Sequence, residues 1–244
     1  MNESRYFQPY TVLPGVCDHT GRLGYAQAFT ICQDLATVHA EALGIGFSAM
    51  AQRGLFWLTV RTRLRFLRRP RIMEQLTLET YPVTPGKVRC LRDYHLRRED
   101  GTPCIDGVTE WAVLETATGQ LQRIDVLMPP EVVPAAEASD PAPFARIDED
   151  FGGAALRGTH TVDSADIDLG RHMNNVAYLR AFLSLFSTKE LDALPIRQIE
   201  LTFRRPCKEG ETLRYFTRPA EDGLDFAAFV DDGKPVLLGK IICA

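Results

Sequence analysis

YAQAFTICQDLATVHAEALGIGFSAMAQRGLFWLTVRTRLRF, residues 25–66, changes its hydrophobic period part-way along. Up to Leu43, the residues Tyr25, Phe29, Cys32, Ala36 and Leu43 recur at spacings of three, four or seven, which is one apolar face of a helix. Gly44 and Gly46 supply its stop. After Gly54 the period falls to two. Phe56, Leu58, Val60, Thr62, Leu64 and Phe66 alternate with Trp57, Thr59, Arg61, Arg63 and Arg65, the pattern of a strand with one buried face. A long amphipathic helix leading into a long half-buried strand needs a sheet for the helix to cover.

Working outward, residues 8–12 read as a short strand. Residues 13–24, with Pro14, Gly15, Asp18 and Gly21, read as a turn-rich loop. Downstream, strands are expected over 76–83, 88–98, 104–115 and 121–126, with turns at Pro85-Gly86 and Asp100-Gly101. Residues 129–150 hold Pro129, Pro130, Pro134, Pro141 and Pro143 among alanines and acids, and read as an extended linker. The order then repeats. A strand over 160–162 leads to a polar loop over 163–173. A helix follows with the stripe Val176, Leu179, Phe182, Leu183 and Phe186, and then strands over 196–204, 212–218, 224–230 and 235–242. Arg68-Arg69-Pro70 and Arg204-Arg205-Pro206 form a short echo between the halves. The expected division is 1–128, a linker over 129–150, and 151–244.

Composition narrows the function. With 45% hydrophobic residues and a net charge of −4, the chain has material for a sizeable core and no basic excess for nucleic acid. No apolar run reaches the roughly 20 residues of a membrane span, and no secretory pattern opens the chain. Six scattered cysteines without a C-x-x-C pair fit a reducing cytoplasm and no structural zinc; neither metal nor cofactor is expected. A homodimer is left open.

The chemistry concentrates in Asp166-Ile-Asp-Leu-Gly-Arg-His-Met-Asn-Asn175, followed by Val-Ala-Tyr178. The segment lies between a strand and a helix N-terminus, whose unpaired N–H groups carry partial positive charge. A substrate carbonyl aimed at Asn174, Asn175 and Val176 would be polarised there. A nearby carboxylate would activate water or attack directly. Asp168 alone reads as a turn residue; combined with His172 and the Asn pair before an apolar helix, it reads as catalytic. Asp166 reads as a turn residue and Cys207 as a packed strand thiol. Arg61, Arg63 and Arg65 share a strand face, which is either a solvated surface or a docking face for an acidic protein or a phosphate.

This segment resembles the Asp-x-Asp-x-x-x-His-x-Asn-Asn signature of hotdog thioesterases. The first half resembles the N-terminal hotdog of plant and bacterial acyl-ACP thioesterases through Phe56-Trp57-Leu58-Thr59-Val60-Arg61, Thr84-Pro85-Gly86-Lys87 and Glu110-Trp111-Ala112-Val113. The resemblance runs over nearly the whole chain. It implies an α+β tandem hotdog, hydrolysis of fatty acyl thioesters with acyl carrier protein as donor, Asp168 and His172 at catalytic positions, and an acyl-chain pocket in the first copy. Acyl-CoA hydrolysis and acyl binding without catalysis are the alternatives. Two positions depart from the family pattern: Gly170 replaces an Asn, and Pro206 replaces the Glu before Cys207.

Overall fold

The computed structural model describes residues 4–130, 132–230 and 233–243. The chain forms two compact units, Met1–Pro143 and Phe144–Ala244.

In the first unit, β1 (Tyr6–Thr11) leads through a looped segment to α1 (Tyr25–Ala42) and α2 (Phe47–Gln52). Then come β2 (Leu55–Phe66), β3 (Gln75–Pro82), β4 (Cys90–Arg98) and β5 (Pro103–Glu115). The strands pair antiparallel in the order β1-β3-β4-β5-β2. The expected helix stripe is the one that packs: Phe29, Cys32, Ala36 and Leu43 are buried. Tyr25 meets Phe66 of β2 edge-on, and the His39 Nδ1 accepts a hydrogen bond from Arg92 of β4 at 2.9 Å. Gly44, at φ +71°, ends the helix in the left-handed conformation that a Cβ disfavours.

The second unit repeats the order with β6 (Ala155–Thr161), α3 (Asn175–Ser184), α4 (Thr188–Asp192), β7 (Ile196–Phe203), β8 (Thr212–Ala220), β9 (Gly223–Phe229) and β10 (Pro235–Cys243). Its strands pair as β6-β8-β9-β10-β7, the same order as the first unit. α3 is seated by aromatic stacking. The Phe182 ring lies parallel to that of Phe226 with centroids 3.8 Å apart, and Phe226 faces Gly239 across the β9–β10 pairing. A Cβ at Gly239 would sit 2.1 Å from the Phe226 ring, so only glycine lets that ring lie flat against β10.

Matching hydrogen bonds establish the correspondence of the two copies. The Val12 N–H donates to the Glu74 carbonyl as Val162 does to Glu211; Gly24 donates to Val16 as Asn174 does to Asp166. Arg68 pairs with Glu74 as Arg205 does with Glu211, and the Pro70 carbonyl accepts from Leu23 as the Cys207 carbonyl does from Met173. The echo read in the sequence is therefore out of register by one: Arg68, Arg69 and Pro70 correspond to Arg205, Pro206 and Cys207.

Other expectations change. Residues 121–126 form no strand, only a bridge of Leu121 to Leu114. Ile124 and, three residues on, Leu127 are buried and pack with Met50 and Val113, while Leu121 and Val126 are exposed. The described residues of the proline-rich stretch have no helix or strand but are held down. Residues 135–143 attach to the first unit through Ala135, Ser139 and the 140–143 carbonyls. Residues 145–150 attach to the second through Ala145, Asp148 and Asp150. α2 and α4 were not foreseen, although Ser187 and Glu190 form a capping box that opens α4.

Gly239→Ala is expected to destabilise the protein by about 1–3 kcal/mol through displacement of Phe226 and the helix stacked on it. Urea denaturation followed by fluorescence or circular dichroism checks this.

Candidate active site

The loop between β6 and α3 closes on itself before the helix begins. Ile167 bridges Met173; the Asp168 N–H donates to the His172 carbonyl at 2.9 Å and the Arg171 N–H to the Asp168 carbonyl at 3.0 Å. Arg171 turns the tip at φ +57°, where the first unit uses Gly21 at φ +69°. Asp168 and His172 thus face each other across a miniature hairpin, a relation that holds Cβ atoms about 5 Å apart. Asp168 is exposed and His172 half-buried. One carboxylate oxygen of Asp168, Oδ1, accepts the Gly170 N–H at 2.8 Å and tightens the turn.

Asn174 caps α3: its side chain accepts the Val176 N–H at 2.8 Å, its own N–H goes to Asp166, and its carbonyl takes the Ala177 N–H. This narrows the expectation for the helix terminus. The N–H groups of Asn174 and Val176 are engaged, which leaves that of Asn175 without a hydrogen-bond partner among the described residues. Of the three expected positions, one amide stays open at the positive end of the helix dipole.

Tyr178 ties the helix to the other wall of the site. Its hydroxyl accepts the Cys207 N–H at 2.9 Å, and Tyr215 donates to the Tyr178 carbonyl at 3.0 Å. Burial pushes the Tyr178 hydroxyl far above the usual tyrosine range, so it stays protonated. Cys207 is fully buried, and its backbone holds both Met173 and Tyr178.

Sequence reasoning missed Asp166. It is no surface turn residue: its side chain is 4% exposed and receives the His160 Nε2–H at 2.6 Å, the Arg180 Nη2–H at 2.7 Å and the Asp163 N–H at 3.3 Å. Burial acts to raise its pKa, but the bonds from His160 and Arg180 outweigh that and hold the carboxyl below the usual range. His160 and Arg180 lie on different elements, so no local spacing announces the cluster. The internal duplication does carry a signal, since Asp166 stands where the first unit has Val16.

Set side by side, the two loops differ in one telling way. Asp18, the counterpart of Asp168, is bound by Thr20 and by the Arg69 guanidinium, which hold its carboxyl below the usual range against the opposing effect of burial. Asp168 has the neutral Pro206 where Asp18 has Arg69. Glu200 of β7 is buried and accepts from Ala145 and Gln198.

The strand arginines are not one open face. A bulge interrupts β2 between Thr59 and Arg61, and Arg63 is buried, donating to the carbonyls of Ala142 and Pro143 at 2.9 and 3.2 Å. Arg63 is therefore withdrawn from the expected docking face. Arg61 pairs with Glu110 and Arg65 with Asp140, each with over two-fifths of its side chain exposed. No cluster suited to a metal occurs among the described residues.

Models of the acyl-ACP thioesterase N-terminal and C-terminal domains match residues 3–132 and 154–232. The chain belongs to the acyl-ACP thioesterase family. Among solved structures, an acyl-ACP thioesterase from Bacteroides thetaiotaomicron superposes with a TM-score of 0.87 at 19% identity, covering 99% of this chain and 98% of that one. A 12:0-ACP thioesterase from Umbellularia californica gives 0.86 at 17% identity, covering 98% and 97%. These fix the tandem hotdog fold of this acyl-ACP thioesterase family member. A chloroplastic acyl-[acyl-carrier-protein] hydrolase of Cuphea viscosissima is 25% identical over 86% of the chain, and a chloroplastic oleoyl-acyl carrier protein thioesterase of Arabidopsis thaliana is 24% identical over 77%. The chain spans 55% of the length of each of these two relatives. No described helix is long and apolar enough to cross a membrane.

Because the folded carboxyl of Asp166 has a lowered pKa, its contribution to stability is full above the unfolded value and is lost as pH falls through the folded one. The gap in thermal midpoint between wild type and Asp166→Asn should be wide near about pH 5 and narrow below about pH 4. A calorimetric series over that range checks it.

Proposed function

We propose that this chain hydrolyses fatty acyl-ACP to free fatty acid and holo-ACP, with residues 151–244 carrying catalysis and residues 1–128 the acyl-chain pocket. The observation that carries this reading is the contrast between the two loops. The first-unit carboxylate is bound to an arginine, whereas the second-unit carboxylate, Asp168, faces His172 with proline in the arginine's place. The family membership supports the thioester as substrate, and the relatives' names support the carrier-bound form. Free cysteines at all six positions accord with a reducing cytoplasm.

In this mechanism the Asp168 carboxylate, through Oδ2, takes a proton from a water positioned by His172. The water oxygen attacks the thioester carbon, and the carbonyl electrons move onto oxygen, which the Asn175 N–H and the positive end of α3 stabilise. Collapse of the tetrahedral species breaks the carbon–sulfur bond, and the departing thiolate recovers the proton held by Asp168. The product acid and the carrier thiol leave.

Asp168→Asn keeps the shape and removes the base. Hydrolysis of long-chain acyl-ACP should fall about 10²–10⁴-fold, with folding unaffected. His172→Ala should lose less, and Cys207→Ala should keep most activity because the backbone of Cys207, not its thiol, holds the site. Thiol release in one assay of all three decides. A dead cysteine variant beside a live aspartate variant sinks the mechanism, and a wild type that retains acyl ligand without turnover favours acyl binding alone.

Arg61 and Arg65 are proposed to help dock the acidic carrier. Reversing both charges should raise KM for acyl-ACP more than for acyl-pantetheine or acyl-CoA. Equal effects on carrier-bound and carrier-free substrates would return these arginines to an ordinary solvated surface.

A further inference from the structure

We infer that His160, Asp166 and Arg180 form a positioning device that locks the Asp168–His172 loop to the first turns of α3. The inference rests on the reading of that loop as the thioester site. The geometry is a three-way tie. His160 lies one residue before the end of β6, Arg180 lies in the second turn of α3, and Asp166 opens the signature loop; the Asp166 carboxylate joins all three at 2.6 and 2.7 Å. The same residue's carbonyl takes the N–H of Asn174, the helix cap, at 2.8 Å. One residue thus holds the strand before the loop, the helix after it and the amide preceding Asn175.

The first unit serves as an internal control. Its loop closes through the same backbone bonds: Asp18 to Arg22, Gly21 to Asp18 and Gly24 to Val16. The counterparts of His160, Asp166 and Arg180 there are Tyr10, Val16 and Thr30, none of them charged. The loop fold therefore does not need the ionic cluster. Burying a carboxylate is costly, and a buried ion pair is weak evidence for stability. The cluster occurs in the copy that carries His172, where the distance between a base, an imidazole and a helix amide matters. Errors of about 1 Å in such an arrangement cost about a hundredfold in rate.

The test uses the full chain: wild type, Asp166→Asn, Arg180→Ala and Arg180→Lys. Steady-state hydrolysis of acyl-ACP, thermal midpoints and amide hydrogen exchange over residues 167–176 are measured for each. Asp166→Asn should lower kcat about 10–100-fold, and Arg180→Ala about tenfold, with KM changed by less than about threefold. Arg180→Lys should restore most of what alanine loses, because the cation is kept. The amides of Asp168, Arg171 and Asn174 should exchange faster in Asp166→Asn at temperatures well below its midpoint. Should Asp166→Asn fail to fold, the Arg180 pair carries the test, since that side chain is 54% exposed and leaves no cavity. Unchanged kcat in the Arg180→Ala variant, or a lysine variant no better than alanine, overturns the positioning role. If the wild type hydrolyses no thioester, the function reading fails on its own, and the exchange data still decide whether the cluster locks the loop.

Discussion

The backward hydrogen bond from the helix-capping amide is the constraint on which both halves are built. In each unit the residue just before the long helix returns its N–H to a carbonyl at the start of the preceding loop. That bond removes one of the unsatisfied donors of the helix start, folds the loop into a closed hairpin and sets the direction in which the helix leaves. The sheet order follows from where the helix is aimed: α1 and α3 each emerge over strands that pair in the same sequence, edge strand first and post-helical strand last. A loop left open here would let the helix swing away from the sheet, and the aromatic contacts beneath α3 could not form.

On that common frame the two copies have drifted toward different electrostatics. The first unit quenches its loop carboxylate with Arg69 and has the half-buried Val16 where the second has Asp166. The second leaves the loop carboxylate without such a partner and spends its ion pairing one step upstream, on Asp166. Backbone bonds are shared and side-chain charges are exchanged between the two copies.

Much of this was legible in the sequence because the periods were clean. The switch at Gly54 gave α1 and β2, and the stripe on α3 gave the second cover helix. Residues 121–126 misled because a short apolar run does not declare its period; the buried Ile124 and Leu127 stand three apart. Arg63 misled because alternation marks a face without saying what covers it, and the cover comes from a segment with no period of its own. The loop that sets Asp168 opposite His172 and the cap at Asn174 were readable because a tight loop and its cap are local chemistry. Asp166 was not, because its partners come from a strand and a helix brought together only by folding. The echo of arginines was seen one residue out of register, since identity of letters is a weaker guide than identity of hydrogen bonds.

The buried guanidinium of Arg63 has a consequence for synthesis on the ribosome. Its carbonyl partners at Ala142 and Pro143 are translated long after β2 itself. Domains generally fold amino-terminal part first as the chain emerges. Here the first unit can collapse early, yet the Arg63 side chain receives its cover and these two acceptors only when the strap beyond β5 has cleared the exit tunnel. A nascent chain halted just after β5 would leave that guanidinium uncovered by the strap, so completion of the first unit is coupled to the elongation of the very segment that leads into the second.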